Sequence, residues 1–253
     1  MNKAVIIIRR FFIPIIFFFI GWQIIGFLTP DIFWPSLGTF LTTTYKTLAS
    51  GEIYRHLGHT MARVYGGWAI GGLAGAFFGV VIGESVVASD ILKPYLTLGR
   101  FIPAIAWIGV FIIWFGSGVP SILALVIYSS TFLSILPTLN GMIYAGSLTE
   151  RIRSAQVMGA NRWDIFLKIK IPTALPQIWT GIRTALAVSF LQIVAAEMLV
   201  GSTGLGYVIW TSRIYFLITK MFVAIFMLGF VGYLSDVVLQ NIGIKFLKKY
   251  GIK

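Results

Sequence analysis

The chain has 253 residues, of which 58% are hydrophobic and only 11% are charged, with a formal net charge of +12. Soluble domains carry about a quarter charged residues, so this composition excludes a water-soluble globular protein and predicts a membrane protein. The charges flank apolar runs and form no exposed stripe, so the positive balance reflects membrane topology and no nucleic-acid partner is expected.

The residue types of the chain argue against a metal site and against thiol chemistry. The chain has no cysteine, which excludes disulfides and thiolate metal sites. Its two histidines, His56 and His59, have only Glu52 as a nearby carboxylate, which gives fewer ligands than a metal site needs. We therefore predict no metal site and interpret both histidines as solvated surface residues.

The first predicted span is the uncharged run from Phe11 to Leu28. Its apolar stretch is long for a signal peptide and no small-residue cleavage site follows it, so we interpret it as a retained membrane helix. Ser36 is then predicted to cap a short helix that ends near Gly51. Two placements stay open for this helix, on the outer membrane surface or packed outside the membrane.

The second predicted span, Val64 to Ile82, contains the most regular pattern in the chain. Glycine recurs at every fourth position, at Gly67, Gly71, Gly75, Gly79 and Gly83. Glycines at this spacing share one helix face, and a face without side chains lets a neighbouring helix come close. We predict helix packing along this face, and the pattern carries no information about a substrate.

Residues 101–149 carry no charge but exceed the roughly 20 residues that one span needs. Glycines and a proline within residues 116–120 predict a tight connection there. The stretch is thereby divided into a third span ending near Phe115 and a fourth from about Pro120 to Ala145. The remaining predicted elements are a fifth span, Thr184 to Leu199, a flexible outer turn at residues 201–206 and a sixth span within Phe216 to Ile244.

Six spans would place both termini on the same side of the membrane, and the positive-inside rule identifies that side as cytoplasmic. The chain is interpreted as one transmembrane domain, residues 1–253, with its core at about 55–245. We assign 13 of the 20 basic residues to the cytoplasmic side: Lys3, Arg9, Arg10, Arg151, Arg153, Arg162, Lys168, Lys170, Arg183, Lys245, Lys248, Lys249 and Lys253.

The most informative stretch is Glu150 to Pro176, within a connection at about 146–180, because it is too polar to cross a membrane and too regular for a slack loop. Four small or apolar residues recur at helical spacing: Ile152, Ala155, Gly159 and Trp163. We predict a short helix that docks in a partner's groove, with Pro172 and Pro176 ending one helix and starting the next. The alternative is a basic loop held at lipid headgroups.

The spacing within this stretch resembles a known signature. Ser154-Ala155-Gln156-Val157-Met158-Gly159 is followed by nine residues and then by Ile169-Lys170-Ile171-Pro172. This resembles the cytoplasmic signature of binding-protein-dependent ABC importer permeases, which reads Glu-Ala-Ala, three residues, Gly, nine residues, Ile, any residue, Leu-Pro. Arg153 stands where that family usually has Glu, Ser154 replaces the first Ala, and Ile171 replaces Leu.

The resemblance implies an all-α membrane protein with six transmembrane helices and the type I ABC importer permease fold, in a bacterial inner membrane. Its expected partners are ATP-binding cassette ATPase subunits, a periplasmic or extracellular substrate-binding protein, a second permease copy and membrane lipids. ATP and Mg would be used by the ATPase, and no cofactor by this chain. The implied ATPase-coupling residues are Arg153, Ser154, Ala155, Gly159, Ala160, Ile169 and Pro172.

Other segments resemble the taurine, alkanesulfonate, nitrate and bicarbonate branch of these permeases. The segments are 100–107 leading to 114–116, and 195–198 followed by the Gly-Leu-Gly at 204–206. Phe101 and Gly109 depart from that pattern, where proline is frequent. The branch implies a small anion as cargo, such as a sulfonate, taurine, nitrate or bicarbonate; a vitamin or pyrimidine precursor or an aromatic acid is the alternative.

Three residues are candidates for a pathway or gate: Pro103, Trp107 and Glu197. For Glu197 the alternative is a structural ion pair with Arg213, since a buried carboxylate in a membrane needs a partner. For Pro103 and Trp107 the alternative role is simple packing within the helix bundle. Asp236 is expected near the cytoplasmic interface or paired inside the bundle. Arg100 is expected to extend toward headgroups or to attract an anion.

The sequence carries no nucleophile–base pair and no glycine-rich loop ending in Lys-Ser or Lys-Thr, so we predict that this chain is not an enzyme and does not hydrolyse ATP. The competing classes are an ATPase-independent secondary transporter or channel, and a membrane scaffold. A secondary transporter would predict inverted repeats and broken or polar helices at the membrane midplane. No internal repeat is evident.

Overall fold

The computed structural model describes residues 12–249, and this part of the chain is helical without a strand. Its α-helices are α1 (Ile13–Leu28), α2 (Leu37–Ala49), α3 (Glu52–Glu84), α4 (Val86–Gly99), α5 (Ile108–Phe115), α6 (Val119–Ser147), α7 (Thr149–Val157), α8 (Arg162–Ile165), α9 (Ile171–Val200), α10 (Leu205–Ile214) and α11 (Ile218–Lys249). A 3₁₀ turn, Ala104–Trp107, precedes α5, and a π-helical turn, Phe166–Lys170, precedes α9.

Four helical stretches within residues 12–249 are long and apolar enough to cross a membrane: α3, α6, the run from α8 through α9, and α11. The α4 and α5 helices meet the same criteria together but are bent by 87° relative to each other. The apolar α1 is shorter, with 16 residues. Phe11, the predicted start of the first span, and the basic residues at 3, 9, 10 and 253 lie outside the described residues.

The centre of the bundle is α6, which packs against α3 on one side and α9 on the other. Its buried face supplies Ile122, Leu125 and Val126, which are fully buried. These side chains form one core with Leu186 and Ile193 of α9. Close van der Waals packing between three long helices therefore fixes the frame that positions the remaining elements.

The glycine series of α3 lies directly against α6. A Cβ atom added at Gly67 would lie 2.6 Å from Cγ1 of Val126, and one added at Gly79 would lie 2.6 Å from Cβ of Thr138. At Gly71 and Gly75 the added atom would collide with carbonyl oxygens of α6. The two backbones are therefore too close for any side chain between them, as small residues at helix interfaces permit.

Replacing Gly71 with leucine is expected to destabilise the bundle by about 1–3 kcal/mol, the usual cost of overpacking. The new side chain would meet the backbone of Ile127, which cannot move away without displacing α6. Thermal unfolding of the purified protein in detergent measures the effect. Gly66→Leu is the matched control, because a Cβ there meets no atom within 4 Å; equal melting temperatures for the two variants would contradict the prediction.

The predicted end of the third span near Phe115 is confirmed, because α5 ends at that residue, but the prediction of one unbroken span is wrong. No helix was predicted between Ile82 and Phe101, where the structure has α4, and the chain bends between Gly99 and the 3₁₀ turn. Pro103 explains the break, because it lacks an amide hydrogen and disfavours the helical conformation of the residue before it.

Other helix boundaries also differ between the prediction and the structure. The fifth span was predicted from Thr184, but α9 already begins at Ile171, with Pro172 in its first turn, where the missing amide costs no hydrogen bond. Pro176 lies inside α9 and does not start a helix. The predicted cap of α2 is confirmed, since the Ser36 hydroxyl accepts a hydrogen bond from the Thr39 amide at 3.3 Å.

Candidate functional site

The connecting segment, residues 148–170, joins α6 to α9 through a sharp turn after α7. Gly159 has a φ of +87°, a conformation that favours glycine. Its amide donates to the Gln156 carbonyl at 3.0 Å, and the Ala160 amide donates to the Ala155 carbonyl at 3.0 Å. These bonds close the end of α7, as left-handed glycines do at helix C-termini.

A capping box then starts α8. The Asp164 amide donates to Oδ1 of Asn161 at 2.9 Å, and the Asn161 amide donates to Oδ2 of Asp164 at 3.3 Å. The reciprocal bonds satisfy two amides that a short helix cannot satisfy itself. Two consecutive caps, at Gly159 and Asn161, therefore end one helix and begin the next within a few residues.

Large apolar side chains project from this turn into solvent. Val157 is 89% exposed, Met158 87% and Trp163 72%. Such exposure on an otherwise polar segment is typical of a surface that another protein covers. We call these three residues the apolar tip.

Most of the predicted coupling residues lie near the apolar tip. Arg153 and Ser154 are exposed on α7, and Gly159 is exposed in the turn. Ala155 and Ala160 are partly buried where the turn closes. Ile169 and Pro172 lie apart from them, partly buried where the segment joins α9. The predicted single helical spacing from Ile152 to Trp163 is wrong, because α7 ends at Val157 and Trp163 belongs to α8.

An ion pair attaches the connecting segment to α3. Nζ of Lys170 lies 2.6 Å from Oε1 of Glu84, the last residue of α3. Between these elements is a cleft of about 440 Å³, lined by Val80, Val81, Glu84, Arg162, Trp163 and Phe166. The segment therefore contacts α3 as well as the two helices that it joins.

Glu197 lies at the other end of the bundle in a buried hydrogen-bond network. Its carboxylate accepts from Nη1 of Arg63 at 2.7 Å, from the Thr60 hydroxyl at 2.9 and 3.1 Å, and from the Gly206 amide at 3.0 Å. The side chain of Glu197 is 0% exposed. A buried charge is tolerated when it is paired and fully hydrogen-bonded, and this one is.

The same network fixes the turn at residues 201–206. Arg63 donates from Nη1 to the Thr203 carbonyl at 2.7 Å and from Nη2 to the Thr203 hydroxyl at 2.6 Å. A Cβ at Gly204 would collide with the Glu197 carboxylate, and the φ of this glycine is +112°. This turn was predicted to be a flexible connection; instead it is held against α3.

Two predicted environments are wrong at this end. Arg213 does not pair with Glu197; its guanidinium lies 5.0 Å from the Trp210 ring centre. His56 is 5% exposed, and its Nδ1 accepts from the Gly204 amide at 3.1 Å. A buried polar amide needed an acceptor, and His56 supplies it. His59 is exposed, as predicted.

Pro103 and Trp107 lie at the break between α4 and α5, apart from the Glu197 network. The Trp107 ring centre is 5.6 Å from that of Tyr128 on α6. Trp107 packs against the central core. The two residues therefore share one environment and Glu197 occupies another.

Sequence reasoning missed the residues that bind Glu197. Arg63 was placed just outside the predicted second span, although a basic residue next to a glycine-rich helix was a usable signal.

Arg183 was assigned to the cytoplasmic face, but it lies well inside α9 and pairs with Asp236 of α11, with two donor–acceptor distances of 2.7 Å. Pairing was one of the two expectations for Asp236.

The described part of the chain is a bundle of membrane-length helices, which defines a multi-pass membrane protein. Residues 71–246 match the family described as binding-protein-dependent transport system inner membrane component. The chain belongs to this family, within the sulfonate, taurine and nitrate branch of ABC transporter permeases.

Three relatives illustrate the branch. A Bacillus subtilis protein named as an aliphatic sulfonates transport permease is 31% identical over 229 residues, which cover 90% of this chain and 82% of the relative. The nitrate import permease of Leptolyngbya laminosa is 29% identical, covering 73% of this chain and 65% of the relative. The taurine transport system permease of Escherichia coli is 29% identical, covering 74% of this chain and 68% of the relative.

Proposed function

We propose that this chain is the pathway-forming subunit of an ATP-driven importer and that the connecting segment couples it to a separate ATPase. The observation that carries the proposal is the apolar tip. Val157 and Met158 are almost fully exposed beside a rigid, glycine-closed turn. A soluble partner that covers them would gain the free energy of burying that apolar surface.

Family membership supports the rest of the proposed assembly. Two copies of the permease pair, each bound to one ATPase subunit, and ATP and Mg act in the ATPase. A binding protein outside delivers the cargo. Both termini and the connecting segment face the cytoplasm, in agreement with the basic residues at 151, 153, 162, 168 and 170. The protein resides in the bacterial inner membrane.

The proposed cargo is a small anion. The relatives named for aliphatic sulfonates, nitrate and taurine support this class. A vitamin or pyrimidine precursor or an aromatic acid is the alternative cargo for the same machinery. Thermal-shift screening of the cognate binding protein against nitrate, taurine, alkanesulfonates and the alternative solutes distinguishes these classes, since only the carried solute should raise its melting temperature by mass action.

The alternative class, an ATPase-independent transporter, is favoured by one observation. The α4–α5 pair is a broken apolar helix with an 87° bend, and broken helices line the substrate sites of secondary transporters. Such a transporter would leave the apolar tip without a partner, so we place it second.

Reconstitution into liposomes tests the two classes against each other. Uptake by an importer is expected to require Mg-ATP on the side of the connecting segment and the binding protein on the opposite side. Removal of either component should abolish uptake, whereas dissipating ion gradients should leave it unchanged. Uptake that continues without ATP and stops with the gradient would contradict the importer and establish the alternative.

A further inference from the structure

An ion pair lies on the open side of the bundle between α9 and α11. Nε and Nη2 of Arg183 donate to the two carboxylate oxygens of Asp236, each at 2.7 Å, and Nη2 also donates to Oε1 of Gln240 at 3.3 Å. The side chain of Arg183 is 36% exposed and that of Asp236 is 34% exposed. The pair is thus ordered by two-point hydrogen bonding and is still accessible.

The pair lies deep along both helices. At 1.5 Å per residue, Arg183 is about 18 Å from the start of α9 and about 26 Å from its end. Asp236 is about 27 Å from the start of α11 and about 20 Å from its end by the same geometry. A hydrocarbon layer about 30 Å thick that these helices cross therefore contains the pair.

A partly exposed ion pair at this depth does not face lipid. Charged groups inside membranes point to the protein interior or to a water-filled cavity, because hydrocarbon cannot solvate them. Close to Arg183 the exposed positions of α9 on this side are polar or small, at Gln177, Thr180, Thr184 and Ala187, and further along the same face Leu191 is apolar and 70% exposed. By contrast, the exposed positions of α1 include Phe17 and Phe27. Next to Arg183 this face therefore offers the hydroxyl groups of Thr180 and Thr184 to water or a solute.

The ion pair lies in a defined cleft of about 460 Å³ between α9 and α11. The helices approach closely on both sides of it. A Cβ at Gly243 would collide with the Trp179 indole, and one at Gly232 would lie 3.5 Å from the Phe190 ring. Between these contacts Nη1 of Arg183 donates no hydrogen bond to any residue within 12–249. The two N–H groups of Nη1 therefore remain available to a ligand in the cleft.

We propose that Arg183 contacts a small oxyanion, such as nitrate or a sulfonate, in this cleft, and that Asp236 keeps the contact weak. The inference rests on the proposed function in one respect: the cleft is taken to face the solute pathway. Nη1 of a guanidinium carries two N–H groups, and each can donate a charge-assisted hydrogen bond to an oxyanion. The carboxylate of Asp236 holds the guanidinium in place and offsets its charge, and a transit site must release its ion as readily as it accepts it.

Binding of methanesulfonate to the full-length chain in nanodiscs tests this proposal. The melting temperature is followed while methanesulfonate replaces chloride at constant ionic strength. Asp236→Asn should lower the half-saturating methanesulfonate concentration at least about tenfold, since loss of one opposing charge at this depth is worth at least about 1.4 kcal/mol. The double variant Arg183→Gln with Asp236→Asn should lose the saturable shift, and uncharged dimethyl sulfone should have no effect on any variant.

The double variant is the matched control because it removes both charges and leaves no unpaired one. Equal methanesulfonate responses in the single and double variants would overturn the proposal. So would tighter binding of dimethyl sulfone than of methanesulfonate. Because the measurement uses the permease without its ATPase, its failure is distinct from failure of the importer assignment, which would appear as ATP-independent uptake.

Discussion

Gly159→Val is expected to reduce the amount of ATPase subunit that purifies with this chain by at least about tenfold, equivalent to about 1.4 kcal/mol of binding free energy. Gly159 is open to solvent and an added Cβ meets no atom within 4 Å, so crowding is not the cause. Its φ of +87° is the cause, because a β-branched residue at positive φ is strained. Relief of that strain would reorient α7 and displace Val157 and Met158.

Gly116→Val is the matched control for this experiment. Gly116 has a φ of +79°, is exposed and also has no atom within 4 Å of an added Cβ. It lies between α5 and α6, apart from the connecting segment, so it tests backbone strain alone. Co-purification should be normal for this variant. If Gly159→Val retained normal ATPase binding and uptake, docking through the turn would be wrong.

Arg63→Met is expected to destabilise the protein by about 3–5 kcal/mol, the usual cost of removing one member of a buried ion pair. The substitution leaves Glu197 fully buried without its cation and removes both hydrogen bonds to Thr203. The turn at residues 201–206 would then lose its attachment to α3. Thermal or denaturant unfolding in detergent measures the loss.

Two further variants separate this network from general effects of charge. Arg213→Ala should leave stability nearly unchanged, because Arg213 is exposed over Trp210 and contacts the network nowhere. Adding Glu197→Gln to Arg63→Met should restore part of the loss, because a neutral amide no longer requires a buried cation. Equal instability of the Arg63 and Arg213 variants would exclude the network as its source.

The local patterns of the sequence predicted local structure well. The cap at Ser36 requires only the Thr39 amide three residues away, and the glycine spacing of α3 requires only helical geometry. The connection at residues 116–120 was predicted because Gly and Pro determine such turns by themselves. Where the physical cause lies within a few residues, the prediction and the structure agree.

The contacts of Glu197 could not be predicted in this way. Its cation, Arg63, is 134 positions away in the chain, whereas the predicted partner, Arg213, is close in sequence. The path of α10 takes Arg213 to the surface. His56 was misjudged for the same reason, since its partner amide is 148 positions away. These pairs depend on which distant helices pack against each other. Composition and local sequence patterns do not determine that packing.

The α3 helix makes three sets of contacts that together join the two ends of the bundle. It has 33 residues, hence a length of about 50 Å at 1.5 Å per residue. Glu84 at one end holds Lys170 of the connecting segment, and Thr60 and Arg63 near the other end hold Glu197. Between them the glycine face lies directly against the backbone of α6. One continuous helix therefore connects the connecting segment to the turn at residues 201–206.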